Sequence, residues 1–114
     1  MRMPIVSMSL RLAAVTACLA FPGSPGHAQQ AFAGDAGHAL IERHCARCHA
    51  VGSTGESPHP DAPPFRTLSR RYPVSQLSEA LVEGLLTGHP DMPEFVFSPT
   101  EAASIIAYLQ SIQE

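Results

Sequence analysis

The 114-residue chain contains no lysine and no tryptophan, and only three cysteines. Without lysine, its positive charge rests on arginine alone. Beyond residue 28 that means Arg43, Arg47, Arg66, Arg70 and Arg71, set against all ten acidic residues. An acidic chain with no basic stripe is a poor nucleic-acid ligand, since such binding depends on neutralising phosphates. There is also no alternating apolar pattern of the kind a half-buried strand needs, and no internal repeat. Long apolar runs are scarce too. The one that exists, Leu12–Phe21, is about half the roughly 20 residues a membrane-spanning helix requires.

That run has a particular setting. Arg2 and Arg11 precede it without any acid, and "PGSPGHA" follows, ending small-x-small at Gly26-His27-Ala28. This is the order of a secretory signal peptide, and residues 1–28 are read as one, cleaved after Ala28. "AFA" at Ala31–Ala33 offers a second cut. Reading "VTAC" as a lipidation site at Cys18 leaves too short an apolar run before the cysteine. Export to the periplasm is therefore expected. Residues 29–34 read as a loose tail and residues 35–114 as the folded domain. So small a core is marginal without a staple.

Three helices are predicted in that domain. The first runs from an N-cap at Asp35 to about the cysteine pair, with Ala36, Ala39, Leu40 and Ile41 at helical spacing. The second covers "VSQLSEALVEGLLTG", capped by Ser75 and closed by Gly88, with Leu77, Ala80, Leu81 and Leu85 on its apolar face. The third starts at "SPTE": Ser98 as cap, Pro99 in the first turn and Glu101 completing a capping box. Its face is Ala102, Ile105, Ile106, Leu109 and Ile112. Val51–Pro64 holds two glycines and four prolines, so it cannot propagate a helix. Loops of that length are usually functional, and something other than backbone ladders must organise this one.

"HCARCHA", His44–Ala50, carries the chemistry. Past the signal, Cys45 and Cys48 are the only cysteines, and an oxidising compartment does not leave vicinal thiols free. Zinc needs a second ligand pair, and His38, His44, His59 and His89 form no His-x₃₋₅-His. A thioredoxin-like switch belongs at a helix start in a βαβ setting, whereas this pair follows a helix. Cys-x-x-Cys-His is the signature of covalent c-type haem attachment. The cysteines would add to the two vinyl groups, and His49 would reach the iron through Nε2. The second axial position points to Met92, the one methionine beyond the signal, held between prolines in "HPDMPEF". An interior filler would ordinarily lie on a helix face. His89 is its competitor, and His38, His44 and His59 are read as surface residues.

From Asp35 to Glu114 the chain resembles a small bacterial class I cytochrome c. The resemblance rests on Cys45, Cys48 and His49, on Gly37 and Ile41 of the first helix, on "IIAYLQ" of the last, on "APPF" and on "MPEF". It implies an all-α class I cytochrome c fold, with long loops wrapped around one haem c. It also implies that Ile105 and Tyr108 pack on Gly37 and Ile41. The carbonyl of Pro63, with Pro64 and Pro60 as alternatives, would accept a hydrogen bond from His49. Haem-binding residues would be Cys45, Cys48, His49, Pro63 and Met92, with His49 and Met92 on the metal. Arg66, Arg70, Arg71 or Tyr72 would take the place of a tryptophan near a propionate. Leu40, Ile41, Val51, Phe65, Leu68, Leu81, Leu85, Phe95, Ile105 and Leu109 would wrap the haem. The implied role is single-electron transfer with no catalytic residue. The rival reading is a haem subunit, or a ligand-binding or catalytic haem domain, of a periplasmic oxidoreductase. Partners would be a dehydrogenase, an oxidase or another cytochrome, and they must tolerate an acidic, largely apolar rim.

Overall fold

A computed structural model describes residues 26–86 and 89–114. Most of the signal segment, Cys18 and Gly88 therefore lie outside the described residues. Those that are described form helices and loops, with no strand among them. Helix α1 spans Gly26–Cys45, α2 spans Leu77–Glu83 and α3 spans Pro99–Ser111. Two 3₁₀ segments, Phe65–Arg70 and Val74–Gln76, precede α2. No helix among the described residues is long and apolar enough to cross a membrane.

Helix α1 starts earlier than its expected cap. Asp35 is an interior residue, and residues 29–34 are helical rather than loose. The physical reason lies in "GHAQQAFAG": alanine and glutamine are good helix formers, and no proline interrupts the segment. A capping side chain has nothing to start where the helix already runs.

Helices α1 and α3 cross at Gly37. A Cβ on this buried glycine would collide with the Ser104 carbonyl of α3, so the missing side chain is what lets the two backbones meet. Ile41 and Ile105, the largest fully buried side chains, fill the same crossing. Tyr108 donates its hydroxyl to the Val51 carbonyl at 2.8 Å and so ties α3 to the proline-rich loop. Ala102 and Leu109 complete the inner face of α3.

The start of α3 follows the sequence pattern closely. The Ser98 side chain accepts from the Glu101 N–H at 3.3 Å, and the Ser98 N–H donates to the Glu101 carboxylate at 2.9 Å. The hydrogen bonds from the Ser98 backbone and hydroxyl hold the Glu101 carboxyl below its ordinary range. Because the folded-state value is the lower one, this contribution is present above the ordinary carboxylate range. It fades as pH falls through the depressed value.

Helix α2 is shorter than expected. Ser75 lies in the 3₁₀ turn ahead of it, and Gln76 is the N-cap without a side-chain bond. Gly84 ends it at φ +115°, four residues before the glycine expected to do so. Only glycine adopts such an angle freely, and the Glu94 carboxylate packs where a Cβ would sit. The chain then returns alongside α2, with the Phe97 N–H donating to the Leu81 carbonyl at 2.8 Å.

The loop 51–64 is organised by side chains reaching backbone groups. Ala50 N–H donates to Ser57 Oγ at 3.0 Å, and Arg66 donates to the Gly55 carbonyl at 2.7 Å. The 3₁₀ segment Phe65–Arg70 is clamped from the C-terminus. Gln113 donates to the Phe65 carbonyl at 2.9 Å and accepts from the Ser69 N–H at 2.8 Å. Glu114 meets both Arg66 and Arg70, at 3.2 and 3.3 Å.

Candidate haem site

The last residue of α1 is Cys45, and its carbonyl accepts from both Cys48 N–H, at 3.1 Å, and His49 N–H, at 3.0 Å. This tight turn brings Cys45, Cys48 and His49 onto one rim of a cavity of about 1290 Å³. Both cysteines are free thiols. Burial, with the neighbouring Cys48 acting in the same direction, pushes the Cys45 thiol up to about 11, so it is held neutral.

His49 is fixed on two sides. Its Nδ1 lies 2.8 Å from the Pro63 carbonyl, so the contact falls on Pro63 and not on Pro60 or Pro64. A carbonyl can only accept, which requires the proton on Nδ1 and leaves the Nε2 lone pair free. The ring also packs on Phe65, with centroids 4.5 Å apart. Phe65 is held in turn by its N–H bond to the Ala50 carbonyl at 3.0 Å.

Met92 lines the same cavity, half-buried between Pro90 and Pro93, and its N–H donates to the His89 carbonyl at 3.2 Å. His89 lines the cavity as well, on the exposed side of that turn. The wall between the two loops is apolar: Ile41, Phe65, Leu68, Leu81, Ile105 and Leu109 belong to both core and cavity. Leu85 and Phe95 join them, whereas Leu40 and Val51 pack against the core without lining the cavity.

Four residues are the alternatives for a partner to a propionate, and the fold divides them. Arg66 and Arg70 are engaged by Glu114, while Arg71 and Tyr72 line the cavity. Burial raises the Tyr72 hydroxyl above its ordinary range, and the adjacent Arg71 opposes that rise. Arg43 and Arg47 also line the cavity, as do Asp61 and Asp91.

The three histidines read as surface residues are half-buried. His38 lies against the Tyr108 ring at 4.7 Å. His44 lines the cavity and meets Phe95 and Phe97 edge-on, at 5.8 and 5.5 Å. Phe97 itself is buried and went unnoticed in the sequence. The segment Phe95-Val96-Phe97 turns both phenylalanines inward and leaves Val96 exposed, and three apolar residues in a row do not tell which of them faces in. His59 approaches Asp91, and that pairing has no sequence signature.

This donor set fits a haem. Two thiols stand at the rim, an imidazole offers a free Nε2, a thioether lies on the same cavity, and the walls between are aliphatic and aromatic. No group of three or more His, Cys, Asp or Glu side chains among the described residues could hold a bare metal ion instead.

Comparison with known proteins agrees. Residues 32–109 match the family described as cytochrome c oxidase, cbb3-type, subunit III. The chain is 40% identical over 108 residues to cytochrome c-552 of Bradyrhizobium diazoefficiens, covering 93% of this chain and 99% of that protein. No solved structure matches. The chain belongs to the small monohaem c-type cytochromes, all-α electron-transfer proteins whose haem c is bound covalently, here through Cys45 and Cys48.

Proposed function

We propose that this haem-based electron carrier works in the periplasm as a single-electron shuttle, with His49 Nε2 and Met92 Sδ as the two atoms that would hold the haem iron. The observation that carries the ligand assignment is the 2.8 Å contact between His49 Nδ1 and the Pro63 carbonyl, on the cavity that Met92 also lines. When bound, the haem supplies a one-electron couple at iron, and His/Met ligation raises its potential. The chain's own residues do the rest. Pro63 holds the His49 tautomer and makes its Nε2 a better donor. Phe65 fixes the plane of that ring. Pro90 and Pro93 limit the motion of the loop bearing Met92. The aliphatic wall excludes water, and Arg71 and Tyr72 are the groups available to a propionate.

Export is supported by the charged, apolar and small-residue order of residues 1–28, which are taken as the cleaved signal, with 35–114 as the cytochrome domain. Partners are redox proteins. A dehydrogenase, an oxidase or another cytochrome would have to dock without a lysine ring, against a largely apolar rim that carries Arg43, Arg47 and Arg71 beside Asp61 and Asp91. A second reading, a subunit of a larger oxidoreductase, is favoured by one observation: the matching family is described as an oxidase subunit. The free carrier is favoured by the near-complete coverage of a cytochrome of similar length.

The oxidised absorption spectrum tests the ligand pair. The intact protein should show the weak band at the red end that reports methionine–iron ligation, and Met92→Ala should abolish it. Absence of the band, or its survival in Met92→Ala, would remove Met92 from the site.

A further inference from the structure

Two proline-framed turns face each other at the mouth of the cavity. One is Pro58-His59-Pro60, and the other is Pro90-Asp91-Met92-Pro93. The first is anchored to the attachment motif, since the His59 N–H donates to the Cys48 carbonyl at 3.1 Å. Its ring is oriented locally: Nδ1 accepts from the Asp61 N–H at 3.2 Å, so the ring's proton sits on Nε2. That Nε2 faces the Asp91 carboxylate at 3.6 Å.

We propose that His59 and Asp91 form a clasp between the haem-attachment side of the cavity and the Met92 loop, and that the clasp is a positioning device for the methionine. This rests on Met92 ligation as proposed above. The residues on either side of each partner are prolines or backbone-bonded groups, so each side chain moves with its turn. Asp61 lies on the same rim but engages His59 through its backbone N–H, which leaves Asp91 as the carboxylate that spans the mouth. The Nε2–Oδ2 separation is longer than a hydrogen bond, and the Asp91 side chain is 77% exposed, so the contact is electrostatic and modest. A modest restraint suits a loop that must stay closed without being rigidly welded.

The test uses the intact oxidised holoprotein and imidazole as a probe, because imidazole reaches the iron only when the Met92 loop opens. His59→Ala and Asp91→Ala should each keep the red-end band and raise imidazole affinity by about twofold, as suits an exposed contact between an imidazole N–H and a carboxylate. The double variant should show no further increase. If imidazole affinity is unchanged in both single variants, or the two effects add, the clasp is overturned while Met92 ligation stands. If the parent lacks the band or Met92→Ala retains it, the ligation reading fails and the clasp falls with it.

Discussion

Gly37→Ala should lower the stability of the holoprotein by about 2–3 kcal/mol, although alanine is the better helix former by about 1 kcal/mol. The sign is decided by packing. A Cβ at residue 37 would overlap the Ser104 carbonyl, which is backbone in the middle of α3 and cannot turn aside as a side-chain tip would. The two helices would have to separate, loosening Ile41 against Ile105, the fully buried pair at the crossing. Gly34→Ala is the matched control. Nothing lies within 4 Å of its Cβ position, so the same substitution there should stabilise by up to about 1 kcal/mol. Urea denaturation of the two variants measures both. A neutral or stabilising Gly37→Ala would mean that the crossing is looser than described.

The second large effect concerns the haem as part of the core. Ile41, Phe65, Leu68, Leu81, Ile105 and Leu109 hold the domain together and also form the wall of the haem cavity. A domain of this size has little other apolar interior, and its typical folding free energy, about 5–15 kcal/mol, is small enough for one cofactor to decide. A ligand that binds only the folded state adds its binding energy to stability. The Cys45→Ser/Cys48→Ser chain, made in the cytoplasm without haem, should therefore show no sharp unfolding transition in urea at 25 °C. A full cooperative transition in that chain would contradict this view of the core.

The features legible in the sequence are those set by neighbours in the chain. The capping box at Ser98 and Glu101 is local, and it forms as the spacing implies. The face of α3 follows from helical periodicity, whereas the place of Gly37 is implied by the resemblance to the class I cytochromes. The start of α1 differs from the expected one because Asp35 has the side chain of a cap, yet the helix already runs through it from Gly26. The end of α2 was misplaced because Leu85 and Leu86 continue the apolar pattern, while Glu94, from across the loop, packs on Gly84. The 3₁₀ segment Phe65–Arg70 was not foreseen because its clamp, Gln113 and Glu114, lies more than forty residues away in the chain. The same distance separates useful from engaged arginines: Glu114 claims Arg66 and Arg70, and Arg71 is left on the cavity. At the site, the adjacent residues Cys45, Cys48 and His49 were legible as a unit, whereas the role of His44 beside Phe95 and Phe97 depends on the returning chain.

A potentiometric titration of the intact holoprotein tests the central claim most directly. A single-electron carrier predicts one transition with a slope of about 59 mV per decade, superimposable in the oxidative and reductive directions. Hysteresis between the two directions, or a slope that departs from one electron, would contradict it.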